Sequence, residues 1–377
     1  MRLALVTEYY YPHLGGVCEH VHHFARQARA AGHHVDIVTS HIADSGAAPP
    51  NVIRLGRSVP WFINGSQSRV TVGRELRRCM RRALDEGAYD LVHVHSPLTP
   101  VLPMLAVEES HAPVVGTFHT YFDRSLGYRW FRARFQSLLD RLSAAITVSP
   151  STVVALERYF DADWKIIPNG VDTALFTPAC GLPRPDGMAG DVPVILFLGR
   201  FDPRNGLSTL IAAFRKLKAR GYRAQLHVVG DGPLRSLYRR QAANDPDIVF
   251  AGPVLHGRPA YYAHSTIYAC PTTKASFGIT LLEAMASQVP IVCSDILGFR
   301  DVVQHGREAL MVPRGDADAL ANALARLLDD AEVCARLAQT GRRRSLEYDW
   351  RRVSATVFDV YADVLGGAPL PVSRAGR

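Results

Sequence analysis

Residues 274–286 read KASFGITLLEAMA, a loop running into a helical pattern that begins near Ile279. A helix starting there leaves the backbone N–H groups of Ser276, Phe277, Gly278 and Ile279 open, with the positive end of the helix dipole facing the loop. That arrangement binds a phosphate without any side chain. Glu283 falls in the first two turns, where a carboxylate either accepts bonds from a ribose diol or simply complements the helix dipole. Arg200 ends the apolar run VILFLGR. At a strand's carboxyl end its guanidinium can clamp phosphate oxygens in bidentate fashion; the plainer alternative is a surface arginine. Gly15 and Gly16 let the backbone turn tightly toward a ligand before a helix at about Val17, although such pairs also occur as plain turns. In VVGDGPLRSLYRR, Asp231 is expected to cap a helix with Pro233 in its first turn. His93 and His95 share one strand face by period two. No acidic third ligand lies nearby in sequence, so no metal is expected. The Asp161/Asp163 and Asp245/Asp247 pairs stand in turn-rich segments and read as surface residues.

These residues need a frame that brings their loops together. Short apolar runs alternate with amphipathic stretches from end to end: RLALVTEY, HVDIVTS, LVHVHS, APVVGTFHT and AAITVSP, then VPVILFLGR, QLHVVGD, IVFAGPV, STIYACPTT and VPIVCSD. Such runs, each followed by a helical pattern, predict α/β architecture with parallel sheets built from βα units. A chain of 377 residues exceeds what one core supports, so two Rossmann-like, doubly wound domains facing a cleft are expected. The turn chemistry from Ile167 to Asp172 puts the hinge near 168–176 and divides the chain into 1–170 and 171–348. YDWRRVSATVFDVYADVL, residues 348–365, reads as a final amphipathic helix.

The composition is ordinary for a globular protein, at 47% hydrophobic and 21% charged. No apolar run is long enough to span a bilayer, and the N-terminal run reads as a buried strand rather than a signal peptide. The six cysteines lack CxxC spacing, which suits reduced thiols in a cytoplasmic protein. A net charge of +8 fits nucleic acid, anionic lipid or phosphorylated small molecules, and no nucleic-acid motif accompanies it.

Taken in order, the GG loop, FHT, PNGVD, LGRFDPRNG, VGDGP, SFGITLLEAMA, DILGFRDVV and the final helix resemble the family-4 retaining glycosyltransferases of GT-B fold over nearly the whole chain. The resemblance implies an N-terminal acceptor domain that includes residues 349–377, whose last helix crosses back to it, and a C-terminal nucleotide-sugar domain. It implies that Gly16 lies near the reaction centre, with Gly15 beside it, and that His119 contacts the transferred sugar. Arg200 then binds the diphosphate, Glu283 the ribose, and the Ser276–Ile279 backbone phosphate and sugar. Asn205 stands where the family has lysine and Ala275 where it has the first glutamate of its E-x7-E motif; Arg204 and Lys274 are the adjacent cations. The nucleotide-sugar is a substrate, and no metal or other cofactor is implied.

The acceptor is addressed by residues 59–87. At helical spacing Val72, Leu76, Cys79, Met80, Ala83 and Leu84 share one arc, and Arg74, Arg77, Arg78, Arg81 and Arg82 the opposite one. The basic face suits an anionic membrane surface, or simply solvent. Asn64, Ser66 and Arg69, with this helix, are similar to the head-group site of phosphatidylinositol mannosyltransferases, although Ile63 stands where that subfamily has tyrosine. The expectation is a peripheral, cytoplasmic mannosyltransferase using GDP-mannose and a phosphatidylinositol-like acceptor. A UDP-sugar enzyme with another lipid, polysaccharide or small-molecule acceptor, and an impaired sugar-nucleotide-binding protein, remain open.

Overall fold

A computed structural model of the chain describes residues 1–13, 15–42, 49–63, 66–254 and 257–366. The chain divides into two units, Met1–Asn169 with the segment from Trp350 onward, and Gly170–Asp349.

In the N-terminal unit the strands are β1 (Arg2–Val6), β2 (His34–His41), β3 (Val52–Ile63), β4 (Ser66–Val72), β5 (Leu91–His95), β6 (Val114–Phe118), β7 (Ala144–Thr147) and β8 (Trp164–Ile166). They form one sheet in the order β4-β3-β2-β1-β5-β6-β7-β8. All neighbours are parallel except β3 and β4, an antiparallel edge pair. The helices are α1 (Gly16–Ala30), α2 (Leu76–Gly87), α3 (Leu102–Glu109), α4 (Leu126–Trp130), α5 (Arg132–Leu139) and α6 (Pro150–Leu156). Because side chains alternate along a strand, Leu3 and Leu5 of β1 enter one core and Ala4 and Val6 enter the other. Both faces are covered, which is why the runs read as continuously apolar.

The C-terminal unit repeats the plan. Its strands are β9 (Val194–Leu198), β10 (Gln225–Val229), β11 (Ile248–Gly252), β12 (Ile267–Cys270), β13 (Ile291–Ser294) and β14 (Ala309–Val312), in the order β11-β10-β9-β12-β13-β14, all parallel. Its helices are α7 (Leu207–Ala219), α8 (Arg235–Ala242), α9 (Arg258–Ala263), α10 (Ile279–Ala286), α11 (Leu297–Arg300), α12 (Ala317–Asp329) and α13 (Ala331–Ser345). The last helix, α14 (Trp350–Leu365), belongs to the N-terminal unit, where buried Trp350 stacks on His23 at 5.9 Å between ring centroids.

Three local expectations are corrected. Asp231 does not cap α8, which starts at Arg235; its Oδ1 accepts from the Gly232 N–H at 2.8 Å instead. The pattern read as helix from Val72 begins only at Leu76, so Val72 ends β4 and Arg74 lies in a turn. Met80, Ala83 and Leu84 form the buried side of α2, but Cys79 is exposed. Asp245 and Asp247 hold Lys218 at 2.6 and 2.5 Å.

Candidate active site

In the C-terminal unit β9 lies between β10 and β12, so successive connections leave the sheet on opposite sides of it. That switch point is where ligands bind in open parallel sheets. Half-buried Arg200 follows β9, and the loop of residues 271–278 follows the neighbouring strand β12. The anion-binding candidates therefore hang from the carboxyl ends of adjacent parallel strands.

Backbone contacts fix these loops. Gly206 has φ 74°, and a Cβ there would stand 2.0 Å from the Pro271 carbonyl oxygen, so only glycine allows the two loops to touch. Thr273 donates its N–H to the Arg204 carbonyl oxygen at 2.7 Å, which places Lys274 beside the Arg204 loop. Gly298 plays the same part in DILGFRD: its Cβ would meet the Ala275 carbonyl oxygen at 2.2 Å. Asn205 donates Nδ2 to the Arg200 carbonyl oxygen at 2.8 Å, bracing the loop instead of supplying a cation. The Arg204 guanidinium lies 3.7 Å from the Asp202 carboxylate. Gly278, with φ 102°, precedes α10, and no described side chain caps that helix. Its first-turn N–H groups remain a site for negative charge.

Glu283 is only 2% exposed. It accepts from the Tyr262 hydroxyl at 2.9 Å and pairs with Arg258 Nη1 at 3.3 Å, both residues coming from α9. Burial, followed by this carboxylate, drives the Tyr262 phenol well above its ordinary range. The residue expected at the ribose is thus already held by two side chains. Neither Arg258 nor Tyr262 stood out in the sequence.

In the N-terminal unit β1 occupies the equivalent position, between β2 and β5. Gly15 is extended and precedes α1, which starts at Gly16. Buried Glu8, just past β1, accepts from Thr71 N and Oγ1 at 2.5 and 2.6 Å and from Val101 and Leu102 N–H at 2.9 Å each. It ties β4 to the open donors at the start of α3, and burial pushes its carboxyl up to about 7 against those four donors.

The histidines gather at the ends of β5 and β6. His95 Nδ1 lies 3.0 Å from His119 Nε2, and the His20 ring on α1 packs edge-on against both, 5.2 and 4.7 Å away between centroids. His20 Nδ1 lies 2.8 Å from Asn169 Oδ1. Burial pushes His20 down to about 4 and His93 to about 3, and holds His95 and His119 well below 6.5. All four rings are therefore neutral near pH 7. The pair considered from sequence, His93 with His95, is not the metal-competent grouping. His93 is engaged by the Tyr361 hydroxyl at 2.5 Å and Thr117 Oγ1 at 2.7 Å. Among the described residues, His20, His95 and His119 each offer a nitrogen within 4.8 Å of the others and could hold a metal ion. His20 and Asn169 are 149 residues apart, so only the fold reveals their partnership.

Of the acceptor residues, Asn64 and the Ser66 side chain lie outside the described residues. Arg69 on β4 donates to Ser58 Oγ at 2.8 Å and to the Ser58 carbonyl oxygen at 3.1 Å. The α2 arginines are exposed but ion-paired. Arg77 meets Glu108 and Glu109, Arg81 meets Glu109 at 2.6 Å, Arg82 meets Glu86 at 2.7 Å, and Arg78 meets Glu75 at 3.3 Å. No described helix is long and apolar enough to cross a membrane.

Two doubly wound, predominantly parallel units are the architecture of the GT-B fold. Among solved structures, the sucrose-phosphate synthase of Thermosynechococcus elongatus matches 97% of this chain and 99% of its own, with a TM-score of 0.74 and 24% identity. Anabaena HepE in complex with UDP and glucose matches 96% and 99%, with a TM-score of 0.77 and 19% identity. A family model described as "Glycosyltransferase Family 4" matches residues 14–175, and one described as "Glycosyl transferases group 1" matches 192–330. The phosphatidyl-myo-inositol mannosyltransferase of Mycolicibacterium smegmatis is 34% identical over 384 residues, covering 100% of this chain and 98% of that protein. The chain belongs to the family-4 glycosyltransferases, and is a hexosyltransferase.

Proposed function

We propose that the chain transfers mannose from GDP-mannose, with retention, to a phosphatidylinositol-type lipid at a membrane surface. The observation that carries this reading is the full-length relationship, at 34% identity, to a protein named phosphatidyl-myo-inositol mannosyltransferase. The site chemistry agrees with it. The bond from the sugar C1 to the diphosphate oxygen breaks, and the acceptor oxygen bonds to C1. The acceptor proton passes to the departing phosphate. Arg200 and the open N–H groups of α10 stabilise the charge that develops on the leaving group, a contribution that is often the largest in catalysis. No divalent cation is needed in this scheme, and His119 contacts the transferred sugar.

A specific observation favours a second reading, a sugar-nucleotide-binding protein with impaired transfer. Ala275 supplies no carboxylate, and Asn205 is turned back onto the Arg200 carbonyl oxygen. Thermal-shift titration with GDP, UDP, ADP and their sugars, combined with donor turnover, separates the two. GDP-mannose should stabilise most, by mass action, and be consumed. A larger shift with UDP-sugars contradicts the donor assignment. Stabilisation without turnover over a broad donor and acceptor panel supports the second reading.

A further inference from the structure

Tyr128 turns inward from α4. Its ring lies 5.1 Å from Phe122, 5.2 Å from Phe135 and 5.0 Å from Phe160, and burial pushes its phenol up to about 12. The same short helix also bears side chains with the opposite character. Leu126 is 61% exposed, Trp130 70% and the following Phe131 57%. Leu126 and Trp130 are four residues apart, so they stand on one helical face. A single exposed apolar residue needs no explanation, but three within six residues, on a helix fixed by Tyr128, form a patch.

Exposed Arg124, Arg129 and Arg132 surround that patch, and residues 121–139 carry four arginines against one acid, Asp123. Arg124 and Arg129 make no ion pair among the described residues. In α2, by contrast, carboxylates already meet Arg77, Arg78, Arg81 and Arg82. Glu108 of α3 receives Arg77 from α2 and Arg134 from α5, so the basic helix and the aromatic patch flank the same element. An exposed indole and phenyl ring stand beside Arg124 and Arg129, which carry no ion pair among the described residues, and Arg132, whose Nε donates to the Tyr159 carbonyl oxygen at 2.7 Å. This set matches a bilayer interface, with the indole at headgroup depth, the phenyl below it and the cations on lipid phosphates.

We infer that α4 and the start of α5 form the membrane-inserting element of the N-terminal unit. Leu126, Trp130 and Phe131 enter an anionic bilayer, and Arg124, Arg129 and Arg132 meet its phosphates. The inference rests on the lipid-acceptor reading only in expecting a bilayer, and its test needs no acceptor. The full chain is sedimented with vesicles of phosphatidylcholine and phosphatidylglycerol that contain no phosphatidylinositol. The W130A/F131A variant should bind at least about tenfold more weakly, given the apolar area it withholds. Its thermal midpoint should match that of the wild type, because the replaced side chains are exposed. Doxyl-labelled acyl chains should quench wild-type tryptophan fluorescence, and W130F should bind while losing that quenching. Equal sedimentation of wild type and W130A/F131A overturns the inference. So does failure of the wild type to bind protein-free vesicles, which would assign the patch to a protein partner. Patch-dependent vesicle binding without transfer to phosphatidylinositol supports this inference while the acceptor reading fails.

Discussion

His95 Nδ1 lies 3.0 Å from His119 Nε2 in a buried pair, and His95 Nε2 has no hydrogen-bond partner among the described residues. An orphaned acceptor is tolerated better than an orphaned N–H, so the His95 proton sits on Nδ1 and is donated to His119. The His119 proton then falls on its own Nδ1, making that atom a donor available to a sugar hydroxyl. Replacing His95 with Phe removes this control. Transfer should fall about tenfold or more, the equivalent of one hydrogen bond, with nucleotide thermal shifts unchanged. An unaltered rate would show that His119 needs no such partner.

Arg200 should behave as a leaving-group clamp. Arg200→Ala should lower turnover roughly 100- to 1,000-fold, as loss of a preorganised charge donor does elsewhere. Arg200→Lys should recover only part, because an ammonium lacks the bidentate fork. Full activity in the Lys variant would indicate that charge alone suffices.

The histidine cluster sets a pH dependence of stability. An unfolded chain protonates His20 and His93 near 6.5, whereas the folded unit keeps them neutral down to about 4 and about 3. Below pH 6.5 the unfolded state binds more protons, so this stability is complete above 6.5 and lost as pH falls toward 4. At about 1.4 kcal/mol per pKa unit, His20 alone contributes about 3 kcal/mol. Glu8 acts oppositely: raised to about 7, it contributes most below 4.5 and loses that contribution as pH rises to 7. His95 and His119 share the sign of His20, so the imidazoles win. The thermal midpoint of the N-terminal unit should fall between pH 6.5 and 4.5; a rise over that window contradicts the assignment.

His227 on β10 is fully buried, and neither ring nitrogen has a hydrogen-bond partner among the described residues. Burial pushes it down to about 4, so it is a neutral polar ring in an apolar place. His227→Leu should stabilise the C-terminal unit by about 1–3 kcal/mol, read as a higher urea midpoint, since it removes unmet polar groups at similar volume. A loss of stability would mean that the ring's shape matters more than its polarity.

What the sequence displayed was set by local periodicity. The continuous apolar runs around Leu3–Val6 and Val194–Leu198 report burial on both sheet faces, and they place Arg200 at a strand end without further information. The β3–β4 pair is not legible because Arg54, Arg57, Pro60 and Arg69 interrupt its strands, so neither reads as a continuous apolar run, and β4 forms the sheet edge. Val72 continues the helical arc by chance, although it ends β4 and α2 begins only at Leu76. The commitments of the site residues were hidden for another reason. Glu283 meets Arg258 and Tyr262, and Arg77 meets Glu108, only after separate elements pack, and no periodicity encodes such pairs. The meaning of Ala275 is similar: its position beside Gly298 is a property of two loops rather than of either one.

The most direct measurement incubates purified chain with GDP-mannose and phosphatidylinositol in mixed vesicles, then determines the mass and anomeric configuration of the extracted lipid. The account predicts a phosphatidylinositol carrying one added hexose in α linkage, formed by the wild type and nearly abolished in Arg200→Ala. A lipid of unchanged mass alongside intact, stably bound GDP-mannose would contradict it.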